Sequence, residues 1–231
     1  MKIALLGYGK MGKAIEEVAL KRGHSIVLKL DEMTTNINFK KADVAIDFSI
    51  PEAAFHNIKQ AIDQNIPIVS GTTGWIDQIE EVITMCQHKK GSFIYSSNYS
   101  LGVNLFFSLN KKLAKMMQKF DYDSTIIETH HTEKLDAPSG TAITLAKQII
   151  KHSDKTDWIL NENQPKKLKI TSKRIDNIPG THQIIYQSEI DEIEIKHTAH
   201  NRMGFAQGAV IAAEFIQNKK GIFSMKDVLG L

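Results

Sequence analysis

The sequence predicts an α/β protein in which a doubly wound parallel sheet carries an inserted α+β domain. Three observations predict it. Short apolar runs alternate with helical patterns over residues 1–100, three closely spaced runs in the second half alternate polar and apolar residues, and a helix rich in small residues closes the chain. We therefore place one domain at 1–101 with 202–231 and the other at 102–201.

A strand, a glycine turn and a helix open the chain. The apolar run KIALL at 2–6 leads into GYGKMG at 7–12, and a helical pattern continues to Gly23. In such a turn one glycine allows the sharp bend, the next lets backbone N–H groups approach a pyrophosphate, and the last allows close helix packing. A purely structural glycine turn is the alternative. The candidate cofactor-binding residues are Gly7, Tyr8, Gly9, Lys10, Met11 and Gly12.

An acidic residue follows the second strand. The run HSIVLKL at 24–30 ends at Asp31, which comes 19 residues after Gly12. A carboxylate at this position accepts hydrogen bonds from a ribose 2′-hydroxyl and repels a 2′-phosphate. Asp31 therefore favours NADH, and Lys29 close by leaves some tolerance for NADPH.

Small polar residues follow the next three strands, which we predict within 42–49, 66–74 and 91–100. Ligands of doubly wound sheets bind outside the carboxyl ends of the strands. Hydroxyl groups and glycines there suit contact with ribose and nicotinamide, although such residues also serve as ordinary caps and turns. The candidates are Ser49, Gly71, Thr72, Thr73, Ser96, Ser97, Asn98 and Tyr99.

The pattern changes at Leu101. We predict a helix over 101–120, a strand over 122–131, a helix over 139–153 and an irregular segment over 151–165. The runs LKITSKRI, THQIIYQSE and DEIEIKHTA, between 168 and 199, then predict an antiparallel meander. A closing helix over 205–221 is expected to return to the first domain and cover its sheet.

Composition limits the classes of function. The chain has 29 basic and 26 acidic residues spread along its length, a net charge of +3, so we expect no nucleic-acid partner. The lysine-rich run at 165–174 is interpreted as an exposed strand face. With a single cysteine, no signal peptide and no apolar run of 18 residues, we expect a cytoplasmic protein without a membrane partner.

The segment ETHHTEKLDAPSGT at 128–141 has the densest group of reactive side chains. Proline and glycine break its periodicity, so we predict a loop between a strand and a helix; a solvated surface loop is the alternative. Ser139 suits the N-cap, and the first N–H groups of the helix would form an anion site. Consecutive strand residues such as His130 and His131 point to opposite faces, so we expect no metal.

Together, GYGKMG and ETHHTEKLDAPSGTA resemble the dihydrodipicolinate (4-hydroxy-tetrahydrodipicolinate) reductase family of the diaminopimelate and lysine pathway. Further matches are DVAIDFSIPEA (43–53), GTTG (71–74), SSNYSLGVN (96–104) and HTAHNRMGFAQGA (197–209). The glycine turn is one residue shorter than in many members. The resemblance implies a Rossmann-like domain, an inserted substrate domain with a mixed sheet, and a homotetramer assembled through those sheets.

The resemblance also implies NAD(P)H-dependent reduction of a small cyclic dicarboxylate, with formal loss of the 4-hydroxyl as water. By motif position it implies that His130 and Lys134 are the acid catalysts and that His131 is a substrate ligand. Gly140 and Thr141 would hold a carboxylate, next to Ser139 at the predicted helix start. The ordinary pKa of histidine, about 6.5, suits a proton shuttle near neutral pH.

Two other functions stay open. The pair Glu133–Lys134 also suits a Rossmann sugar or polyol dehydrogenase of the glucose-fructose oxidoreductase type. Those proteins usually have Glu-Lys-Pro and a longer chain, whereas Pro138 here comes four residues after Lys134. A non-catalytic NAD-sensing module would bind NADH without turnover, and it would leave His130 and Lys134 unexplained.

Overall fold

Two sheets organise the chain, one in each of the two units into which it divides. The computed structural model describes residues 1–31, 36–39 and 41–231. The first unit comprises 1–101 and 202–231, and the second comprises 102–201. Within the described residues, no helix has the length and apolar character that a membrane span requires.

The first unit is built on six parallel strands. Numbered along the chain, they are β1 (Lys2–Leu6), β2 (Ser25–Leu30), β3 (Val44–Asp47), β4 (Ile68–Ser70), β5 (Ser92–Tyr95) and β11 (Gly221–Phe223). Their order in the sheet is β11–β5–β4–β3–β1–β2. The helices are α1 (Lys10–Lys21), α2 (Pro51–Asp63), α3 (Ile79–His88), α6 (Met203–Ile216) and α7 (Met225–Leu229), and a 3₁₀ turn (Ile76–Gln78) precedes α3.

Apolar helix faces cover both sides of this sheet. Successive residues of β1 point to opposite sides, so Ile3 and Leu5 join one buried cluster while Ala4 and Leu6 join another. The first cluster includes residues of α1 and α6, and the second includes residues of α2 and α3. Helices on both faces of a parallel sheet confirm the predicted doubly wound α/β fold, and α6 packs on the sheet as expected.

The second unit has a five-stranded mixed sheet and two helices. The strands are β6 (Asp123–His130), β7 (Asp157–Leu160), β8 (Lys167–Arg174), β9 (Gly180–Gln187) and β10 (Glu192–Ala199), and the helices are α4 (Leu101–Met117) and α5 (Gly140–Ile150). The strand order is β10–β9–β6–β8–β7. Buried residues of both helices pack on the apolar side chains of the sheet, among them Ile126, Leu168 and Ile184.

The predicted antiparallel meander is wrong in its first step. Strands β9 and β10 do form an antiparallel pair, but β6 lies between β8 and β9, parallel to the former and antiparallel to the latter. In this order Ile126 of β6 lies between Ile170 and Ile184, and all three are fully buried. The most apolar positions therefore occupy the centre of the sheet, which alternation within single strands does not specify.

Two short strands were absent from the sequence prediction. The segment 151–165, expected to be irregular, contains β7, and the C-terminal tail contributes β11 to the edge of the first sheet. Their lengths are four and three residues. Runs this short do not display a period, so pairing with a neighbouring strand decides their structure.

Candidate active site

The glycine turn of the first unit is tightly packed at its ends and open in its middle. Gly7 has a φ of +91°, and a Cβ there would lie 2.1 Å from the carbonyl oxygen of Phe48. A Cβ on Gly12 would lie 2.3 Å from the carbonyl oxygen of Gly7. Apart from Gly9 itself and its two chain neighbours, no described residue has an atom within 4 Å of a Cβ placed on Gly9, which is the N-cap of α1. The turn therefore fits a dinucleotide pyrophosphate at a helix N-terminus.

Three side chains connect the glycine turn to β2. The Tyr8 hydroxyl donates to Glu16, and the Lys29 ammonium lies 2.6 Å from the Glu16 carboxylate and 3.1 Å from the Tyr8 hydroxyl. The hydrogen bond from Lys29 lowers the pKa of Glu16, and the same bond raises the pKa of Lys29. Lys29 is thus already paired with an acid, while Asp31 after β2 is exposed.

The buried carboxylate of Asp47 accepts hydrogen bonds from residues at the ends of β3 and β4. One of its oxygens accepts from Ser49 Oγ at 2.7 Å and Asn57 Nδ2 at 3.0 Å, and the other from Ser70 Oγ at 3.0 Å and Thr72 Oγ1 at 2.7 Å. Burial raises the pKa of Asp47, and the hydrogen bonds oppose that effect. Asp47 ends the buried run ADVAID at one of the strand ends that the sequence singles out, but only its neighbour Ser49 was predicted as a cofactor-binding residue.

The other candidates at the strand ends differ in exposure. A Cβ on Gly71 would lie 2.3 Å from the ring of Phe48, so this glycine allows close packing. The Tyr99 hydroxyl donates to the carbonyl oxygen of Ser70 at 2.8 Å and is buried. Thr73 and Ser97 are exposed, Ser96 and Asn98 are half-buried, and Thr72 is buried. Contact of these residues with a cofactor stays a prediction, and for Thr72 and Tyr99 the side chains are directed elsewhere.

In the second unit, the loop between β6 and α5 contains the predicted reacting residues. The strand ends at His130 and the helix begins at Gly140. Ser139 is the N-cap of α5, and its hydroxyl oxygen accepts the N–H of Ala142 at 3.2 Å. Apart from the chain neighbours of Gly140 and the backbone of α5 itself, no described atom lies within 4 Å of a Cβ placed on Gly140. The helix start is therefore capped, as predicted, and open enough for an anionic group.

A second buried carboxylate, Glu128 of β6, fixes this loop. It accepts from the backbone N–H of Ser139 at 3.1 Å, from Ser172 Oγ at 2.7 Å and from Arg174 Nη2 at 3.3 Å. Although burial acts in the opposite direction, the hydrogen bonds from Ser139 and Ser172 lower the pKa of Glu128. Arg174 also donates to the backbone carbonyl of Asp136 at 2.7 Å. Arg174, which the sequence analysis treated as part of an exposed strand, therefore supports the loop.

Two histidines flank Glu128. Its Oε2 atom lies 3.5 Å from His130 Nδ1 and 3.7 Å from His182 Nε2, and the two imidazole rings meet edge to face with centroids 5.1 Å apart. Burial lowers the pKa of His182 to about 4. Burial also lowers the pKa of His130; Glu128 opposes this, and the charge of Lys134 lowers it further. His182 is therefore neutral at pH 7, and burial favours the neutral form of His130.

The side chains of Glu128, His130 and His182 place potential metal-ligand atoms within 4.8 Å of one another. The carboxylate already accepts a backbone N–H and a hydroxyl, and the Arg174 cation lies 3.3 Å from it. A divalent ion there would have to displace these donors and meet a like charge. The arrangement therefore supports a hydrogen-bonded network, and the expectation of no metal stays a prediction.

Lys134 lies in the same loop as the helix start. Its ammonium group lies 2.6 Å from Asp136 Oδ1, and this hydrogen bond lowers the pKa of Asp136. The charge of Lys134 also contributes to the lowered pKa of His130, the other predicted acid catalyst. The neighbouring His131 is half-buried. The end of β6 and the loop after it thus combine a histidine of lowered pKa, a paired lysine and a capped helix start.

Comparison with known proteins identifies the same family along almost the whole chain. Family models described as "Dihydrodipicolinate reductase, N-terminus" and "Dihydrodipicolinate reductase, C-terminus" match residues 1–99 and 102–229. A protein of Christiangramia forsetii named 4-hydroxy-tetrahydrodipicolinate reductase is 54% identical, over 99% of this chain and 98% of its own. One of the same name from Methanosarcina barkeri is 37% identical, over 96% of this chain and 82% of its own.

Solved structures share the fold. A dipicolinate-bound dihydrodipicolinate reductase from Paenisporosarcina sp. TG-14 superposes with a TM-score of 0.77 at 23% identity, covering 97% of both chains. Aspartate dehydrogenase from Thermotoga maritima gives a TM-score of 0.51 at 14% identity over 96% of this chain and 99% of its own. The family models and the two relatives confirm the resemblance and the oxidoreductase class predicted from the sequence. The chain belongs to the dihydrodipicolinate reductase family.

Proposed function

We propose that this protein is an NAD(P)H-dependent 4-hydroxy-tetrahydrodipicolinate reductase, which forms tetrahydrodipicolinate for diaminopimelate and lysine biosynthesis. The observation that carries the proposal is the loop between β6 and α5. In a chain of this family, that loop brings His130, Lys134 and the capped start of α5 together. Family membership gives no support to the sugar dehydrogenase or to the NAD-sensing module.

The first unit would bind the cofactor, which supplies the hydride when bound. The open position at Gly9 and the start of α1 suit the pyrophosphate. We propose NADH over NADPH, because the exposed Asp31 carboxylate disfavours a 2′-phosphate and Lys29 is already paired with Glu16. NADPH would be accepted with lower affinity.

The second unit would bind the substrate. The N–H groups of Gly140 and Thr141 lie at the start of α5, where a helix favours a negatively charged group. A dicarboxylate needs a second point of attachment, which we assign to Lys134 and His131. The dipicolinate bound to the relative from Paenisporosarcina supports this class of ligand.

His130 and Lys134 would supply the proton. Hydride addition leaves negative charge on the reduced substrate, so a donor within about 3 Å, directly or through one water, is required. A protonated His130 is a strong donor, because its pKa lies below the ordinary value. The Glu128 carboxylate, 3.5 Å away, stabilises the protonated form while it exists.

One assay tests the proposal. The substrate is formed in place by the synthase that condenses pyruvate with aspartate semialdehyde, and oxidation of NADH or NADPH is followed by absorbance. We expect turnover with both cofactors and a lower KM for NADH. Absence of oxidation with both NADH and NADPH would contradict the proposed function.

The proposed assembly and location are tested separately. We expect a homotetramer formed through the sheets of the second unit, in which β10 is an edge strand with mostly exposed side chains. Light scattering coupled to gel filtration measures the mass directly, and a monomer would contradict the expectation. A cytoplasmic location is expected from the biosynthetic role and is checked by cell fractionation.

A further inference from the structure

We infer that Asp47 is a positioning residue for the dinucleotide, and that it acts through Thr72 and the backbone of Ser49 on the glycine turn. The inference rests on the proposed function only in requiring that the first unit binds a nicotinamide dinucleotide. It gives the buried carboxylate of β3 a role in cofactor affinity rather than in the chemical step.

The Asp47 carboxylate is held by four hydrogen bonds. Asp47 is fully buried, and its four donors are three hydroxyl groups and one amide, none of them charged. Removing a carboxylate from water is costly unless hydrogen bonds compensate for the lost hydration. Four converging donors supply that compensation, and each is thereby held at a fixed place relative to the end of β3.

The hydroxyl of Thr72 both donates and accepts a hydrogen bond. It lies 2.7 Å from Asp47 Oδ2, and it accepts the backbone N–H of Ser49 at 2.9 Å. A backbone N–H can only donate, so the single hydroxyl proton of Thr72 goes to the carboxylate. Thr72 therefore transmits the position of Asp47 to the chain that follows β3.

The Ser70 hydroxyl gives a direct contrast. It donates to the same carboxylate oxygen as Thr72, at 3.0 Å, and is equally buried. Within the described residues its hydroxyl makes no other hydrogen bond. Ser70 thus contributes to the burial of Asp47 but transmits nothing to the loop.

The segment that follows β3, Phe48 and Ser49, contacts the glycine turn. A Cβ on Gly7 would lie 2.1 Å from the carbonyl oxygen of Phe48 and 2.6 Å from the Cα of Ser49. The backbone of Phe48 and Ser49 therefore packs directly on Gly7, with no space between them. Closely packed backbone transmits small displacements, so a shift of Ser49 moves the turn.

These contacts should influence the affinity of the glycine turn for the dinucleotide. The glycine turn would hold the pyrophosphate through backbone N–H groups, and such hydrogen bonds prefer angles above about 150° and weaken steeply below about 120°. Loosening the loop at Ser49 should raise the dissociation constant for NADH. It should change kcat little, because these residues lie in the first unit and the proposed proton donors lie in the second.

The test compares Thr72→Val with Ser70→Ala. Each variant removes one hydroxyl donor from the same carboxylate oxygen, with little change of volume. We expect Thr72→Val to raise the Kd for NADH, measured by fluorescence titration, about fivefold to tenfold, as the loss of one positioned hydrogen bond implies. Ser70→Ala should stay within about twofold. Thr72→Val should lower Tm more than Ser70→Ala, because it also leaves the Ser49 N–H without its acceptor. The Kd is therefore measured well below both Tm values, with both variants fully folded, which separates positioning from general destabilisation.

Thr72→Ser is the rescue variant, because it keeps the hydroxyl and should restore the wild-type Kd. Equal Kd values for Thr72→Val and Ser70→Ala, or a failed rescue, would overturn the inference, as would a wild-type protein that binds neither NADH nor NADPH. Binding is measured without substrate, so the two proposals fail separately. A protein that binds NADH, shows the Thr72 effect and lacks reductase activity would contradict the proposed function alone.

Discussion

Asp47 and Glu128 solve the same structural problem in two different ways. Each is a fully buried carboxylate near the end of a strand, and each accepts hydrogen bonds that fix an adjoining loop. Asp47 has only uncharged donors, and burial raises its pKa. Glu128 has Arg174 and two imidazoles beside it. Burial acts to raise its pKa, but hydrogen bonds from Ser139 and Ser172 lower it below the ordinary value.

This difference follows the proposed roles of the two units. A carboxylate among hydroxyl and amide groups holds backbone in place and exchanges no proton with its neighbours. A carboxylate between imidazoles interacts with groups that titrate, so it both fixes the loop and influences when a histidine is protonated. The first arrangement suits the binding of a cofactor, and the second suits the delivery of a proton.

The largest expected effect concerns the assigned proton donors. His130→Gln and Lys134→Ala should each lower kcat about 100-fold or more, the usual contribution of a positioned acid. The Kd for NADH should remain within about twofold, because neither residue lies in the first unit. Steady-state kinetics and fluorescence titration measure the two quantities. Normal kcat in either variant would remove that residue from the mechanism.

Replacing Glu128 and Asp47 by their amides should lower the free energy of unfolding by different amounts. Glu128→Gln leaves the Arg174 cation without its anion and should lower the free energy of unfolding by about 3 kcal/mol. Asp47→Asn breaks no ion pair among the hydrogen bonds described and should cost about 1–2 kcal/mol. Urea unfolding at pH 7 compares them. If the losses are equal, the contrast between charged and uncharged surroundings is wrong.

Acid should destabilise the second unit through His182. Its pKa is about 4 in the folded protein and near 6.5 when unfolded, so the unfolded chain binds the proton first. The stability present above pH 6.5 is therefore lost as the pH falls towards 4, by about 2 kcal/mol at pH 5. Urea unfolding at pH 7 and pH 5 measures the change. His182→Gln should show a smaller difference between the two pH values, and an unchanged difference would exclude His182 as its source.

The smallest effect is expected for Asp31, whose exposed carboxylate serves as a reference for the buried carboxylates of Asp47 and Glu128. Asp31→Asn should lower the KM for NADPH about fivefold, because one repulsion in water near a 2′-phosphate is worth about 1 kcal/mol. The KM for NADH should change less. Asp77→Asn, also an exposed acid of the first unit, is the matched control. An identical response of both variants would leave Asp31 without a role in cofactor choice.

Features that depend on a few consecutive residues were predicted correctly from the sequence. The glycine turn between β1 and α1 and the Ser139 cap were read directly from the sequence, because each depends on a few consecutive residues. The supports of the second loop were missed for the opposite reason. Glu128 lies opposite Ser172 in β8 and opposite His182 in β9, so those partners follow only from the strand order that was predicted wrongly.

The central place of β6 has a consequence for folding. Glu128 meets Ser172 and Arg174 only across sequence separations of 44 and 46 residues, and it meets His182 only when the opposite edge of β6 has also paired. Contacts this distant form after the closure of long loops, which is slow and entropically unfavourable. A chain with helices α4 and α5 but an unfinished sheet would therefore lack the hydrogen bonds around Glu128, so we expect the proposed proton-donor site to form late in folding.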